Sequence, residues 1–470
     1  MKKKVFAFIL LGLCFLVTAC QPTPEEEVVF NKGDGVMEEK IFATDAPVKE
    51  DTGKEEEAAA EPTAVPVEKV SHWTETFQVN DVFAVEVDTD VEWGEGNEYH
   101  VEKYLPGTFT AEQIAEIGTV FFGGVESIRE QEKSYDELLE ELMKLEEGSY
   151  QGRNSKGEPI FEPYGKNYKK DRTAEIKAQM EDTPVESTYI PYSAENLPLG
   201  EEEYVRFTVR KANGEEGEIS ASLTANRNSM SFCNYKKGGL SFARGIQQEI
   251  YFSGGEYYDT LPEPSLTAEE AIAKGDAFLA SVGLNNTACS YSEKARLQDR
   301  GEIFSEGWYL EYASVLKGTR GVNLYNYSKN ILLHPDLAQS YSFPWEVEYI
   351  TLYVTEKGVE NFSWSYPYEL QEVTNENVEI LSFEDIQQSI RKYFTLAFSW
   401  VENPKSYGTS KLMIKRVVLT SHFVQVKDEP EAAYRVPVWA VFYISDDEEA
   451  NLCENSVMLI NALDGTMIFK

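Results

Sequence analysis

Histidine and cysteine are scarce in this chain, and that scarcity narrows the chemistry it can perform. Four histidines, His72, His100, His334 and His422, are spread over 470 residues. None has a second ligand at the spacing of a zinc motif, and H-E-x-x-H and C-x-x-C are both absent. No G-x-S-x-G elbow or phosphate-binding glycine loop occurs either. His422 falls in a strand-like run, where a hydrogen-bonded structural histidine is the expectation. Beyond Cys14 and Cys20, only Cys233, Cys289 and Cys453 remain. Three widely spaced thiols allow at most one bridge, so the chain is no disulfide scaffold, and buried free thiols are expected. Neither a metal nor another cofactor is expected.

Basic residues are also few, with 43 Lys and Arg against 81 Asp and Glu, a formal charge of −38. Nucleic-acid binding needs a basic surface to neutralise phosphates, so that class is disfavoured. So is lying flat on an anionic bilayer. No apolar run reaches the roughly 20 residues of a membrane span.

The chain does have a distinctive start, "MKKKVFAFILLGLCFLVTAC". Three lysines precede an unbroken apolar run from Val5 to Val17, the length of a secretory h-region. Val17-Thr18-Ala19-Cys20 resembles a bacterial lipobox, with Val17 where Leu is commoner. Residues 1–19 are therefore read as a lipoprotein signal peptide and Cys20 as the lipid (palmitate) attachment, on the extracytoplasmic face of the cell membrane. Residues 20–70 hold 14 acids, 5 lysines and 5 prolines, with no sustained period of 2 or 3.6. Too little apolar surface is present to offset ordering entropy, so this is an acidic disordered tether with a coil dimension of roughly 40 Å.

Order is expected from about Ser71. Phe83, Val85, Val87 and Val91 alternate with acids, the pattern of a half-buried strand. Asp88, Asp90 and Glu92 match the first spacings of a calcium loop, but Trp93 stands where its glycine belongs and Tyr99 where its glutamate does. Three helices follow. "TAEQIAEIGTVFFGG" and "SYDELLEELMKLEEG" each open on a capping box, and the second carries Leu138, Leu139, Leu142 and Leu145 along one side. "KDRTAEIKAQMED" is the third. Asn213-Gly214 between two alternating runs predicts a hairpin. "SMSFCNY" and "GIQQEIYFS" should extend its sheet. Beyond a linker, a helix followed by strands occurs twice: "TAEEAIAKGDAFLASVG" before "EGWYLEYASVL", "WEVEYITLYVTEKG" and "VENFSWSY", then "SFEDIQQSIRKYFTLAF" before "KLMIKRVVLTSHFVQV", "YRVPVWAVFYIS" and "SVMLINALDGTMIF". The fold class is α+β, with antiparallel sheets each covered by helices. The domains expected are 71–262, an N-terminal α+β domain, and 263–470, a pair of helix-plus-sheet modules.

The closing "LINALDGTMI" resembles the end of PepSY-type modules and the related YycI-type envelope regulators, which finish on a strand, an Asp-Ala-x-x-Gly turn and a strand. Here Asn461 stands where Asp is usual. The likeness covers about residues 265–470. The whole chain, including "ACQPTPEEE" and "VVFNKGDG", also resembles an uncharacterised family of clostridial (Firmicutes) lipoproteins. The PepSY and YycI resemblance implies an extracytoplasmic role in binding an envelope protein, without catalysis.

One segment invites a different reading. Residues 318–346 separate two strands that a short turn could join, and they carry Tyr325, Tyr327, Tyr341, Phe343 and Trp345. Such a loop could stack on sugars or anchor a peptide, or pack its rings on its own domain. The leading expectation is a lipid-anchored, non-catalytic protein-binding or regulatory module. The alternative is a glycan- or peptide-binding lipoprotein using this loop, and an envelope hydrolase ranks last.

Overall fold

The computed structural model describes Lys40 and, with breaks, residues 68–468; the longest stretches outside it are 1–39, 41–67, 245–263 and 325–345. Its described part is mostly antiparallel sheet with five helices: α1 (Ala111–Phe121), α2 (Tyr135–Glu147), α3 (Lys166–Asp182), α4 (Ala268–Ser281) and α5 (Phe383–Phe398).

One sheet has eight strands. Its main path is β1 (His72–Asn80), β2 (Phe83–Glu92), β17 (Lys411–Val426), β18 (Glu429–Ser445), β19 (Ser456–Asn461) and β20 (Met467–Ile468). On the β19 side of β18, β3 (Val101–Pro106) pairs with Ala433 to Arg435, and β16 (Tyr368–Asn375) pairs with β3. All these pairs are antiparallel except β2 with β17. Helix α5 covers this sheet because Ile386, Ile390, Tyr393, Phe394 and Phe398 fall on one face at helical spacing and are all buried. Its rings meet those of the sheet edge to face, with Phe394 4.9 Å from Tyr443. Each such buried ring stabilises by roughly 2 kcal/mol. Ser382 caps the helix, its side chain accepting from the Asp385 N–H.

The second sheet has ten strands. Four come late in the chain, β12 (Thr287–Asp299), β13 (Glu302–Ser314), β14 (Tyr349–Thr355) and β15 (Gly358–Ser365). The others are β4 (Val125–Arg129), β7 (Tyr189–Pro191), β8 (Val205–Lys211), β9 (Glu216–Thr224), β10 (Arg227–Cys233) and β11 (Ser241–Arg244). The order is β11-β12-β13-β14-β15-β10-β9-β8-β4-β7. Helices α1 and α4 cover it, Phe121 lying 5.8 Å from Phe232 and Phe278 5.1 Å from Phe362. The Asn213-Gly214 hairpin joins β8 to β9 as the sequence predicts.

These pairings correct the domain boundary expected at 262/263. Strand β10 is bonded to β15, with Met230 opposite Trp364, and β2 to β17, with Val85 opposite Leu412. Helix-then-strands does occur twice, as α4 with β12–β15 and α5 with β17–β20, but each set is completed by strands from the N-terminal half. Edge strands leave a row of unpaired backbone groups, and a distant segment can fill it without leaving any local trace in sequence. "GIQQEIYFS" lies outside the described residues.

Two further expectations need adjustment. Leu139 is 42% exposed and leaves the α2 stripe, while Leu138 and Leu145 stay buried. In the tether, Lys40 and residues 68–70 are described; Lys40 is helical and its Nζ donates to the Leu463 carbonyl. The rest of the expected tether, 20–39 and 41–67, lies outside the described residues.

The chain closes as a hairpin. Leu459 is opposite Ile468 and Ile460 opposite Met467, all buried. Asn461 Oδ1 accepts from the Leu463 N–H at 3.0 Å and its carbonyl from the Gly465 N–H at 2.9 Å. Gly465 has φ +74°, and a Cβ there would sit 2.6 Å from Ser389 Oγ of α5, so both the turn and the helix contact require glycine.

Candidate functional site

The two sheets meet along a seam where β15 of one runs into β16 of the other. A cleft of about 40 Å³ opens there, lined in part by Ser314, Glu348, Tyr368, Ser421, His422 and Arg435. Neighbouring residues in β17 and β18 supply Ser421, His422 and Arg435; Ser314 ends β13, and Glu348 precedes β14.

Arg435 is 8% exposed. Its Nε donates to Ser421 Oγ at 2.9 Å and its Nη2 to the Ser314 carbonyl at 2.6 Å. The guanidinium also lies 5.9 Å from the centre of the Phe423 ring. Phe423 packs against Tyr368 at 4.4 Å and Tyr104 at 5.6 Å, so the cation is walled by rings. Among the described residues no carboxylate is at ion-pair distance from it. Glu102, its register partner on β3, is bonded by the Tyr104 hydroxyl at 2.7 Å. Burial pushes that hydroxyl up to about 12.

Glu348 is only half-buried as a residue, yet its carboxyl end is enclosed. It accepts from Trp364 Nε1 at 3.0 Å and from the Ser314 hydroxyl. Burial pushes its carboxyl above the ordinary range, against the pull of Ser314, Arg435 and Trp364. Its N–H donates to Tyr368 Oη at 3.1 Å, and Tyr368 in turn donates to the Glu346 carbonyl. Burial raises the Tyr368 hydroxyl too. Behind the cleft, Glu311 accepts from Tyr349 and from Asn323, each at 3.3 Å.

The residues singled out from the sequence fall elsewhere or beyond view. Cys20 and the aromatic set Tyr325, Tyr327, Tyr341, Phe343 and Trp345 lie outside the described residues. Leu324 and Val347, close to the two ends of that loop, both line the cleft. His422 is buried in β17, as a strand histidine should be, but it faces the cleft rather than the core. Arg435 and Glu348 were missed, because 87 residues separate them and neither stands in a motif. The one local signal was a charged residue in the apolar run "YRVPVWAVFYIS". Cys233 and Cys289 are free thiols, and burial lifts Cys289 to about 11. Among the described residues no group of three or more His, Cys, Asp or Glu is placed to hold a metal. No described helix is long and apolar enough to cross a membrane.

No family model matches the chain, and no curated protein does. A solved structure, that of an uncharacterised protein from Eubacterium rectale ATCC 33656, is similar at a TM-score of 0.36 and 15% identity. The match covers 84% of this chain and 92% of that one. Likeness at that level carries no conclusion about fold or function.

Proposed function

We propose that the chain is a lipid-anchored protein of the cell envelope that works, without catalysis, as a protein-binding or regulatory module. The observation that carries this reading is the insert between β4 and β7. Those strands pair directly, with Ile128 opposite Ile190, yet some sixty residues lie between them. They form α2, a small hairpin of β5 (Ser149–Arg153) with β6 (Pro159–Glu162), and α3. The insert has its own small core of Leu138, Leu145 and Ile176, joined to neither main core. Ordering each residue costs on the order of 1–2 kcal/mol, and this segment adds no side chain to either main apolar core, its tie to the sheet being polar, through Glu137 to Arg129 of β4 at 2.7 Å. It displays Met143 at 60%, Tyr168 at 56%, Ile160 at 44% and Leu139 at 42% exposure. Leu139 and Met143 are one helical turn apart on α2, amid acidic Asp136, Glu140 and Glu147. Apolar side chains displayed on an insert of this kind are how a protein contact is built.

The glycan- or peptide-binding alternative rests on the aromatic loop 318–346, whose residues 325–345 lie outside the described residues. Anchoring is tested by Cys20→Ala, which should release the protein to the medium or leave an unprocessed precursor; a processed chain still anchored would contradict it. Binding is tested by affinity capture from cells. Leu139→Asp with Met143→Asp should lose a defined envelope protein that the parent chain retains. Capture unchanged by the pair would count against the insert.

A further inference from the structure

We propose that the seam cleft binds a carboxylate group carried by a peptide segment, with Arg435 as the cation that selects it and Ser421 and His422 beside it. The proposal rests on the protein-binding reading and adds the chemistry of one contact.

Arg435 is the starting point. A buried guanidinium costs several kcal/mol unless charge and hydrogen bonds compensate it, and proteins ordinarily supply a carboxylate. Here the contacts are the Ser421 and Tyr104 hydroxyls, a carbonyl and a ring face, all neutral. A guanidinium carries five N–H donors, and Ser421, Ser314 and Tyr104 do not take up all of them. The two nearby acids are committed elsewhere. Glu102 is engaged by Tyr104 and lies 3.8 Å from His100. Glu348 feels the Arg435 charge without reaching ion-pair distance, is held by Ser314 and Trp364, and its burial favours the neutral carboxyl.

Size and access complete the case. Room of about 40 Å³ takes roughly three water molecules, enough for a carboxylate head and too little for a sugar ring. An Arg–carboxylate contact in a partly buried, ring-walled site is stronger than its exposed counterpart, and it discriminates against an amide of the same shape. The carboxylate can come from a chain terminus or from an Asp side chain, and the two sources share this chemistry.

The test is calorimetric titration of the purified full mature chain, at fixed ionic strength, with three peptides. They are tri-alanine as the free acid, tri-alanine amide, and Ala-Asp-Ala blocked at both ends. Binding of the free acid alone assigns a chain terminus, and binding of the blocked Asp peptide assigns a side chain. In either case the amide should bind at least tenfold more weakly, and Arg435→Gln should abolish the difference. Should Arg435→Gln fail to fold, melting of the parent chain decides. Acetate should raise Tm above an equal concentration of chloride, by mass action on the folded state. Equal binding of acid and amide, no binding of either acid, or equal melting in acetate and chloride overturns the proposal. Each leaves the protein-binding reading standing, because capture from cells tests that separately.

Discussion

Gly465 and Gly214 both hold the left-handed region, at φ +74° and +85°, but only one of them is crowded. Around Gly214 a Cβ would meet nothing within 4 Å, whereas at Gly465 it would collide with Ser389 Oγ. Gly214→Ala should therefore cost about 1 kcal/mol, the backbone cost alone. Gly465→Ala should cost about 2–3 kcal/mol, because α5 must also shift. Urea denaturation of the two variants gives the comparison, and equal losses would mean that Ser389 yields freely. Glu348 supplies a second expectation at this scale. Its folded carboxyl is raised by burial, so it costs nothing below the unfolded value near 4.5, where both states are protonated. As pH rises from there toward the folded value, the unfolded chain ionises first and stability falls. Glu348→Gln removes that loss, so its Tm relative to the parent should be higher at pH 7 than at pH 4. A difference independent of pH would mean that the carboxyl is not raised.

At the scale of elements, local chemistry was legible and long-range pairing was not. The run "KLMIKRVVLTSHFVQV" coincides with β17, because it is rich in β-branched and apolar residues with no glycine or proline to interrupt it, and residues 417–424 are buried without a break. Thr110 and Ser134 each make the capping box their spacing announced, and Thr267 makes one at the start of α4. What failed was the cut near 262, since nothing in β2 states that it will lie parallel to a strand more than 300 residues away. The seam was invisible for the same reason: Arg435, Glu348 and Ser314 meet only after both sheets have formed. The pairing makes a sharp expectation for the C-terminal hairpin. Deleting residues 465–470 removes buried Met467 and Ile468, each worth about 2–5 kcal/mol in a core. Because β1 and β2 share that core, their amides should lose hydrogen-exchange protection along with β18 and β19. Protection of β1 and β2 unchanged by the truncation would show that the two halves are independent after all.

For the whole molecule, the structure separates framework from display. Two large sheets hold the main cores, while the insert with α2 and α3 carries exposed apolar residues and contributes to neither. If Cys20 is the anchor, the segment ahead of β1 places this display outside the membrane and within reach of envelope proteins. The central claim is that the insert touches a protein partner there. Placing a photo-crosslinking residue at Met143, and in parallel at Val82, tests it most directly. Val82 is comparably exposed at 54% but lies on the β1–β2 turn, away from the insert. After irradiation of living cells, position 143 should yield one discrete crosslinked envelope protein by mass spectrometry, and position 82 should not. The same crosslinks from both positions, or none from 143, would contradict the account.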